Sequence, residues 1–74
     1  MGYNYTRALT EAIQDFWATF EAVTGDFAED FDAAAICSEY TSDTVVDLKD
    51  GTFSYVPEMV SADEFNAMLQ RYER

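Results

Sequence analysis

The sequence contains no histidine and a single cysteine, and both shortages limit the chemistry that the chain can perform. Histidine is the commonest general base and the commonest neutral metal ligand in proteins. Cys37 has no histidine to activate it and no second cysteine to form a disulfide with. A lone cysteine of this kind is typically a small buried apolar residue. We therefore expect a protein that is not an enzyme and that folds without a covalent cross-link.

Glycine and proline are also scarce, with three glycines and one proline. Gly2 lies near the terminus, and Gly25 and Gly51 fall at a predicted helix end and a predicted turn, so the sequence offers no glycine-rich phosphate loop. The acidic stretch DFAEDFD does not match a calcium-binding EF-hand loop, because starts at Asp26 and at Asp30 both lack glycine at the sixth position. We expect no metal and no cofactor.

Long apolar runs are missing as well. No run approaches the roughly 18 residues that a membrane-spanning helix needs. The first residues, MGYNYTRAL, lack the basic start and apolar centre of a signal peptide. Together with the single cysteine, these features predict a protein of the reducing cytosol.

The residues that are present predict one domain over residues 1–74, with a core built from a few bulky side chains. A chain of this length buries only about 60% of its unfolded surface. Six phenylalanines, five tyrosines and one tryptophan compensate, since each aromatic side chain buries roughly 150–250 Å². Hydrophobic residues make up 49% of the chain, which favours an ordered fold despite its charge.

Amphipathic helices are predicted towards both ends of the chain. Over residues 6–24, apolar side chains recur at spacings of three and four, and Gly25 then ends the helix. The apolar stripe, which we expect to face the core, consists of Leu9, Ala12, Ile13, Phe16, Trp17, Phe20 and Val23. The last helix opens with a capping box formed by Ser61 and Glu64. Its inward side chains are expected to be Phe65, Met68, Leu69 and Tyr72.

A short second helix is predicted from Phe27 to about Ile36. Asp26 suits its N-cap, and Glu29 stands three residues further on, as in a capping box. Acidic side chains in a first turn are favoured by the helix dipole, by about 0.3–1 kcal/mol each. The pattern leaves open whether residues 37–41 then form a third strand or a loop.

The segment VVDLKDGTFSYV predicts an antiparallel hairpin. Its Asp-Gly pair, residues 50–51, is typical of a two-residue type I′ turn between alternating strands. Closing the turn there pairs Leu48 with Phe53 and Val46 with Tyr55, which puts four apolar side chains on one face. The order of helix, short helix, hairpin of two or three strands, and helix predicts a small α+β domain, with the helices packed on one face of the sheet.

Charge is the most uneven property of the sequence. Fifteen acidic residues against four basic ones give a net charge of −11. Most of the excess falls between Gly25 and Gly51, where eight carboxylates accompany one base, Lys49. A net charge of about 2 to 8 is enough to keep a small domain soluble, and crowded like charges destabilise a fold. The cluster therefore favours a basic partner and disfavours binding to nucleic acid or to an anionic membrane.

Carboxylates of this segment, and one tyrosine beside them, are the candidate partner-binding residues. They are Asp26, Glu29, Asp30, Asp32, Glu39, Asp43, Asp47 and Tyr40. Tyr3 and Tyr5 also lie outside the helical stripes and are further anchor candidates, because interface energy concentrates in buried aromatic side chains. Carboxylates one helical turn apart are separated by about 5.4 Å, which is comparable with the 3.4 Å between charges along a DNA strand. A rigid row of them can therefore occupy a phosphate-binding groove.

In length, acidity and α+β pattern, the chain resembles small acidic inhibitors of phages and mobile elements, among them anti-CRISPR and anti-restriction proteins. Several members of that class mimic DNA. The resemblance covers the whole chain but rests on no family motif, so it assigns a role to no individual residue. It implies a stoichiometric inhibitor that blocks the DNA- or RNA-binding groove of a defence complex, such as a CRISPR effector, in the cytosol of the host cell.

Two other interpretations remain open. An acidic surface poor in lysine is also typical of proteins from salt-loving hosts, in which acidic side chains are expected on every face. The remaining interpretation is a general protein–protein interaction module, either a homodimer or a regulator of a basic protein outside any nucleic-acid pathway.

Overall fold

Within residues 2–74, three α-helices and a two-stranded antiparallel sheet form the α+β fold, in the predicted order of helix, helix, hairpin and helix. The computed structural model describes residues 2–74. The elements are α1 (Tyr5–Thr24), α2 (Ala33–Thr44), β1 (Val45–Asp47), β2 (Phe53–Tyr55) and α3 (Ala62–Arg71). A 3₁₀ turn, Gly25–Asp30, joins α1 to α2, and a shorter one, Pro57–Met59, leads from β2 to α3. None of the helices within residues 2–74 is both long and apolar enough to cross a membrane.

Helix α1 confirms the first predicted helix, and Ala12, Phe16 and Phe20 of its predicted stripe are buried, but the buried face is narrower than predicted. Asn4 caps it by accepting a hydrogen bond from the N–H of Arg7 at 2.7 Å. Gly25 ends it with φ 53°, a conformation that glycine adopts without steric cost. The buried side chains recur at every fourth residue, at Ala8, Ala12, Phe16, Phe20 and Thr24. Trp17 and Val23, which were expected to face the core, are 40% and 51% exposed.

The second helix begins at Ala33 rather than at Phe27, so this prediction is wrong in its position. Its N-cap is Asp32, whose side chain accepts from the N–H of Ala35 at 3.3 Å. Residues 37–41, for which a third strand or a loop was predicted, lie within this helix. The physical reason is contact with the distant helices of the core. A helix that continues past Ile36 also buries Tyr40 and Thr44, which lie one and two turns further on.

The hairpin is present, but its register differs from the predicted one by one residue. Asp47 lies opposite Phe53, and the N–H of Leu48 donates to the carbonyl of Thr52 at 3.1 Å. The loop therefore contains three residues, 49–51, instead of two. Because strand side chains alternate between faces, the shift separates Leu48 from Phe53, and Leu48 is 40% exposed.

Two aspartates hold the longer loop. Asp47 accepts from the N–H of Lys49 at 2.9 Å, and Asp50 accepts from both the N–H, at 3.0 Å, and the hydroxyl of Thr52. Lys49 and Gly51 both adopt positive φ, 68° and 86°. Side-chain bonds of this kind compete with a regular turn, which explains why the Asp-Gly pair misled the prediction.

A different segment adds a single bridge to the sheet. Tyr3 exchanges two backbone hydrogen bonds with Phe53, both of 2.7 Å, on the outer edge of β2. A Cβ atom at Gly2 would lie 2.8 Å from the carbonyl oxygen of Phe53. The N-terminal segment can therefore approach the hairpin this closely because residue 2 has no side chain.

The core lies where the three helices meet, and aromatic rings dominate it. Its buried members are Phe16, Phe20, Ile36, Tyr40, Val60, Phe65, Met68 and Leu69. The ring of Phe16 is central, with centroid distances of 5.4 Å to Phe20, 5.7 Å to Tyr40 and 6.2 Å to Phe65. Helix α3 starts as predicted, with the Ser61 side chain accepting from the N–H of Glu64 at 3.2 Å. Its predicted inward residues are buried, except for Tyr72, which is half-buried.

The molecule is elongated, with extents of 40 × 18 × 16 Å. Helix α1 has 20 residues and is about 30 Å long, so it must run along the long axis. Its N-terminal end meets the hairpin, and this region, residues 2–5 and 45–56, is called the hairpin end. At the other end, the 3₁₀ turn meets the C-terminal residues, where the N–H of Arg74 donates to the carbonyl of Asp30 at 2.7 Å. Residues 25–32 and 72–74 are called the turn end.

Candidate functional site

The acidic segment, residues 25–51, runs from the turn end to the hairpin end, in the direction opposite to α1. The 3₁₀ turn carries Asp26, Glu29 and Asp30, and all three are exposed. On α2, Glu39 and Asp43 stand one helical turn apart on the same face. The remaining carboxylates of the segment belong to the cap of α2 and to the hairpin.

Several of the predicted partner-binding carboxylates stabilise the fold instead of facing solvent freely. Asp32 caps α2, and Asp47 holds the hairpin loop. Glu39 accepts a hydrogen bond from Arg71 on α3, at 2.5 Å between Oε1 and Nη1. The other Glu39 oxygen, Oε2, is buried with no hydrogen-bond partner within residues 2–74. Asp50, another carboxylate of the segment, is also engaged. The hydrogen bond from the Thr52 hydroxyl, followed by that from the Thr52 N–H, lowers the pKa of Asp50.

The other four predicted carboxylates form no such contact. They are Asp26, Glu29, Asp30 and Asp43, and we call them the free carboxylates. All are exposed, and none makes a side-chain hydrogen bond or an ion pair within residues 2–74. Because no internal cation neutralises them, their charge is available to a basic partner.

Tyr40 is a core residue, which corrects its prediction as a partner-binding side chain. It is 5% exposed, and its hydroxyl lies 2.6 Å from that of Tyr55. The Tyr55 hydroxyl donates in turn to Asp15 on the surface of α1. Burial, together with hydrogen bonds to Asp15 and Tyr40, raises the pKa of Tyr55 well above its ordinary value. These three side chains lock the hairpin to the helices.

The other two tyrosine candidates are at the hairpin end. Tyr3 is 38% exposed and Tyr5 is 51% exposed. The guanidinium of Arg7 lies 4.0 Å from the centre of the Tyr3 ring, and the ring of Tyr5 meets Phe53 edge to face at 5.1 Å. Both rings therefore support local structure while keeping one side open to solvent.

Sequence reasoning missed two exposed aromatic side chains, one at the turn end and one on the neighbouring part of α1. Phe27 is 68% exposed, although it was predicted to begin the second helix, and Trp17 is 40% exposed, although it was predicted to face the core. A local signal could have identified Trp17. The buried face of α1 is centred on Phe16, and the residue after Phe16 lies at the edge of that face. No comparable local signal marks Phe27, which the late start of α2 leaves on the 3₁₀ turn.

Two recesses lie along α1. The first has a volume of about 360 Å³ and lies between α1 and the start of α3. Its single carboxylate, Asp15, already accepts the Tyr55 hydroxyl. The second is an open groove of about 500 Å³ beside Trp17 at the turn end. Within residues 2–74, no group of three His, Cys, Asp or Glu side chains could hold a metal ion.

Cys37 is half-buried against the core. Burial raises the pKa of its thiol, and a raised pKa disfavours the thiolate that would act as a nucleophile or metal ligand. This environment is that of a packing residue.

No protein-family model, no curated protein and no solved structure matches the chain. The function is therefore inferred from the residues themselves. What they show is an exposed 3₁₀ turn on which three of the free carboxylates lie beside the exposed ring of Phe27.

Proposed function

We propose that the protein is a non-enzymatic, stoichiometric inhibitor that presents its carboxylates to the basic DNA- or RNA-binding groove of a defence complex. It would act as anti-CRISPR and anti-restriction proteins do, in the cytosol of the host cell. The observation that carries the proposal is the set of four free carboxylates, Asp26, Glu29, Asp30 and Asp43, in the most acidic segment of the chain.

The shape of the molecule supports an occupant of an elongated groove. Its length of 40 Å corresponds to roughly 12 steps along a DNA strand at about 3.4 Å per charge. The acidic segment runs from one end to the other, since it includes the 3₁₀ turn, all of α2 and the hairpin loop. A groove lined with lysine and arginine would meet negative charge over much of this length.

The electrostatics also support rapid capture of a basic partner. A net charge of −11 on 74 residues attracts a cationic groove over a distance set by the salt concentration. Association is expected to be fast and to slow as salt is added. The cost is self-repulsion within the folded protein, and the ion pair between Glu39 and Arg71 offsets part of it.

Gel-shift titration of purified, guide-RNA-loaded CRISPR effectors with their target DNA tests the proposal. We expect the protein to prevent DNA binding at a near-equimolar ratio when it is added first. Two double variants then separate the free carboxylates from charge in general. One combines Asp30→Lys with Asp43→Lys, and the other combines Glu21→Lys with Glu58→Lys, which are exposed acidic positions outside the segment.

Both double variants have the same net charge, so only the position of the reversals differs. The first is expected to inhibit about tenfold less well or worse, because lysines would then face the lysines and arginines of the groove. The second is expected to inhibit much as the parent does. Equal inhibition by the first variant and the parent would contradict the proposal.

Adaptation to high salt is a second candidate function for the charge, because exposed acidic side chains also occur outside the acidic segment. These are Asp15, Glu21, Glu58, Asp63, Glu64 and Glu73. Thermal unfolding from dilute buffer to molar salt separates the two candidates. A chain that folds only in molar salt would be a salt-adapted domain, while a stable fold in dilute buffer favours the inhibitor.

A further inference from the structure

A groove with an apolar floor and a charged rim lies at the turn end, between α1, the start of α2 and the C-terminal residues. Its volume is about 500 Å³, and it opens to solvent. Ala28, Ala33 and Ala34 line it beside the aromatic rings of Trp17 and Phe31. Because each alanine side chain ends at Cβ, the groove has room for an incoming side chain to lie along it.

Trp17 is the side chain most suited to bind something in this groove. It is 40% exposed, yet its ring is held edge to face against Phe20 at 5.8 Å and against Phe16 at 5.2 Å. The indole is therefore fixed on the core side and open on the other. A large, partly exposed ring held in this way is typical of an interface anchor.

The rim of the groove is charged and predominantly negative. Glu29, Asp32 and Arg74 line it, and Asp26 and Asp30 lie on the same turn. The backbone N–H of Arg74 donates to the carbonyl of Asp30, but the guanidinium of Arg74 makes no ion pair within residues 2–74. The rim carboxylates are therefore not neutralised by a direct ion pair, and the field at the groove favours a cation.

The protein itself shows the two contacts that such a cation would make. Arg7 stacks over the ring of Tyr3 with 4.0 Å between the guanidinium carbon and the ring centre. Arg71 donates to the carboxylate of Glu39. A guanidinium is planar, so it can stack on an indole and bond to a carboxylate at the same time, whereas a lysine ammonium cannot stack.

We propose that this groove binds an arginine side chain from an exposed segment of the partner protein, with the guanidinium stacked on Trp17 and bonded to the rim carboxylates. The aliphatic part of the arginine would lie along the three alanines. This inference rests on the proposed function in one respect, namely that the partner is a basic protein. The arginine would fix the position of the partner on this surface, which charge attraction alone would not do.

Trp17 is the single tryptophan of the chain, so its fluorescence reports directly on the groove. The probe is the peptide acetyl-Gly-Leu-Arg-Leu-Gly-amide, and its control is the same peptide with citrulline, which has the same shape and no charge. We expect a saturable change in fluorescence with the arginine peptide. The citrulline peptide is expected to bind about two- to fivefold more weakly, the range of a single exposed ionic or cation–π contact.

Two matched variants locate the binding on the whole protein. Ala34→Leu fills the groove, and Ala67→Leu makes the same substitution at an exposed position of α3 that does not line it. Leucine is a good helix former, so both variants are expected to fold, as thermal unfolding would check. Ala34→Leu should weaken peptide binding by about tenfold or more, as expected when a filled groove excludes its ligand, while Ala67→Leu should leave it unchanged.

Three results would overturn the inference. They are a lack of saturable binding at millimolar peptide, equal binding of the citrulline peptide, and equal binding by Ala34→Leu and the parent protein. The outcome is separable from that of the proposed function. Peptide binding in the groove without inhibition of any defence complex would reject the function and keep the groove, and inhibition without peptide binding would do the reverse.

Discussion

The two ends of the molecule use the same residue types for different purposes. At the hairpin end, Asp47 and Asp50 accept hydrogen bonds from the loop, and Tyr55 donates one to Asp15 on α1. At the turn end, Asp26 and Glu29 are exposed with no such contact. The carboxylates of the hairpin end are therefore structural, whereas the turn end carries unengaged carboxylates beside Asp32, which caps α2 and also lines the groove.

The aromatic side chains divide in a similar way. At the hairpin end, exposed rings carry local contacts, as in the stacking of Arg7 on Tyr3. At the turn end, Phe27 is the most exposed of the large apolar side chains in residues 2–74, and Trp17 borders an open groove. Unengaged charge next to exposed aromatic surface is the combination typical of interaction sites.

The largest expected effect tests whether the two ends share one core. Phe16→Ala removes the ring that contacts both neighbouring helices and is expected to lower the free energy of unfolding by about 3–5 kcal/mol. Urea unfolding would be followed by Trp17 fluorescence for the turn end and by amide exchange of Val56 for the hairpin end. If the two probes report different midpoints, the ends are not one cooperative unit.

A smaller effect is expected from a change confined to the hairpin end. Gly2→Ala places a Cβ atom against the carbonyl of Phe53, so the bridge to Tyr3 should break. The loss of two backbone hydrogen bonds corresponds to about 1–3 kcal/mol in the free energy of unfolding. Amide exchange at Tyr3 and Phe53 should accelerate, whereas exchange in α3 should not. An unchanged exchange rate at Phe53 would show that the segment is not docked.

A matched pair of aspartates compares structural with unengaged acidity directly. Asp32→Ala removes the cap of α2 and is expected to cost about 1 kcal/mol in the free energy of unfolding. Asp30→Ala makes the same change of charge two residues earlier, where the side chain has no partner, and is expected to stay within about 0.5 kcal/mol of the parent. Asp32→Asn should restore most of the loss, because it can still cap. Equal effects at both positions would reject the division between them.

The hydrogen bonds of Tyr55 predict a loss of stability in alkali. Its pKa is raised above the ordinary value of 10.0, so above about pH 10 the unfolded chain releases this proton while the folded protein keeps it, and stability falls with rising pH. Below that pH both states keep the proton and the contribution is intact. Tyr55→Phe should lower the alkaline sensitivity of the urea midpoint, and Tyr5→Phe, at an exposed ring, should not. Identical alkaline profiles for the two variants would contradict this role.

The smallest expected effect concerns the hairpin loop. The Thr52 hydroxyl and N–H lower the pKa of Asp50, so this carboxylate stabilises the loop above its ordinary pKa of 3.8 and ceases to do so as the pH falls through the lowered value. Thr52→Ala should raise the pKa of Asp50 towards 3.8, measured by NMR titration. Ser54→Ala removes a nearby hydroxyl that does not bond to Asp50 and should leave its pKa unchanged. If the pKa of Asp50 is unchanged in Thr52→Ala, the Thr52 hydroxyl does not lower it.

Local signals in the sequence predicted much of the fold. The caps and the 3.6-residue periodicity identified α1 and α3, and the Asp-Gly pair identified a hairpin, because each of these signals acts over a few neighbouring residues. Charge and the lack of histidine are likewise properties of composition. They determined that the protein is strongly acidic and that no catalytic pair in it can contain histidine.

The tertiary structure alone decided which of these side chains remain available. The start of α2, the hairpin register and the burial of Tyr40 all depend on contacts between distant residues, as do the bridge from Tyr3 and the pairing of Glu39 with Arg71. The sequence shows the same residue type whether a carboxylate caps a helix or faces solvent. Only packing, which brings a donor to one carboxylate and leaves another exposed, separates the two.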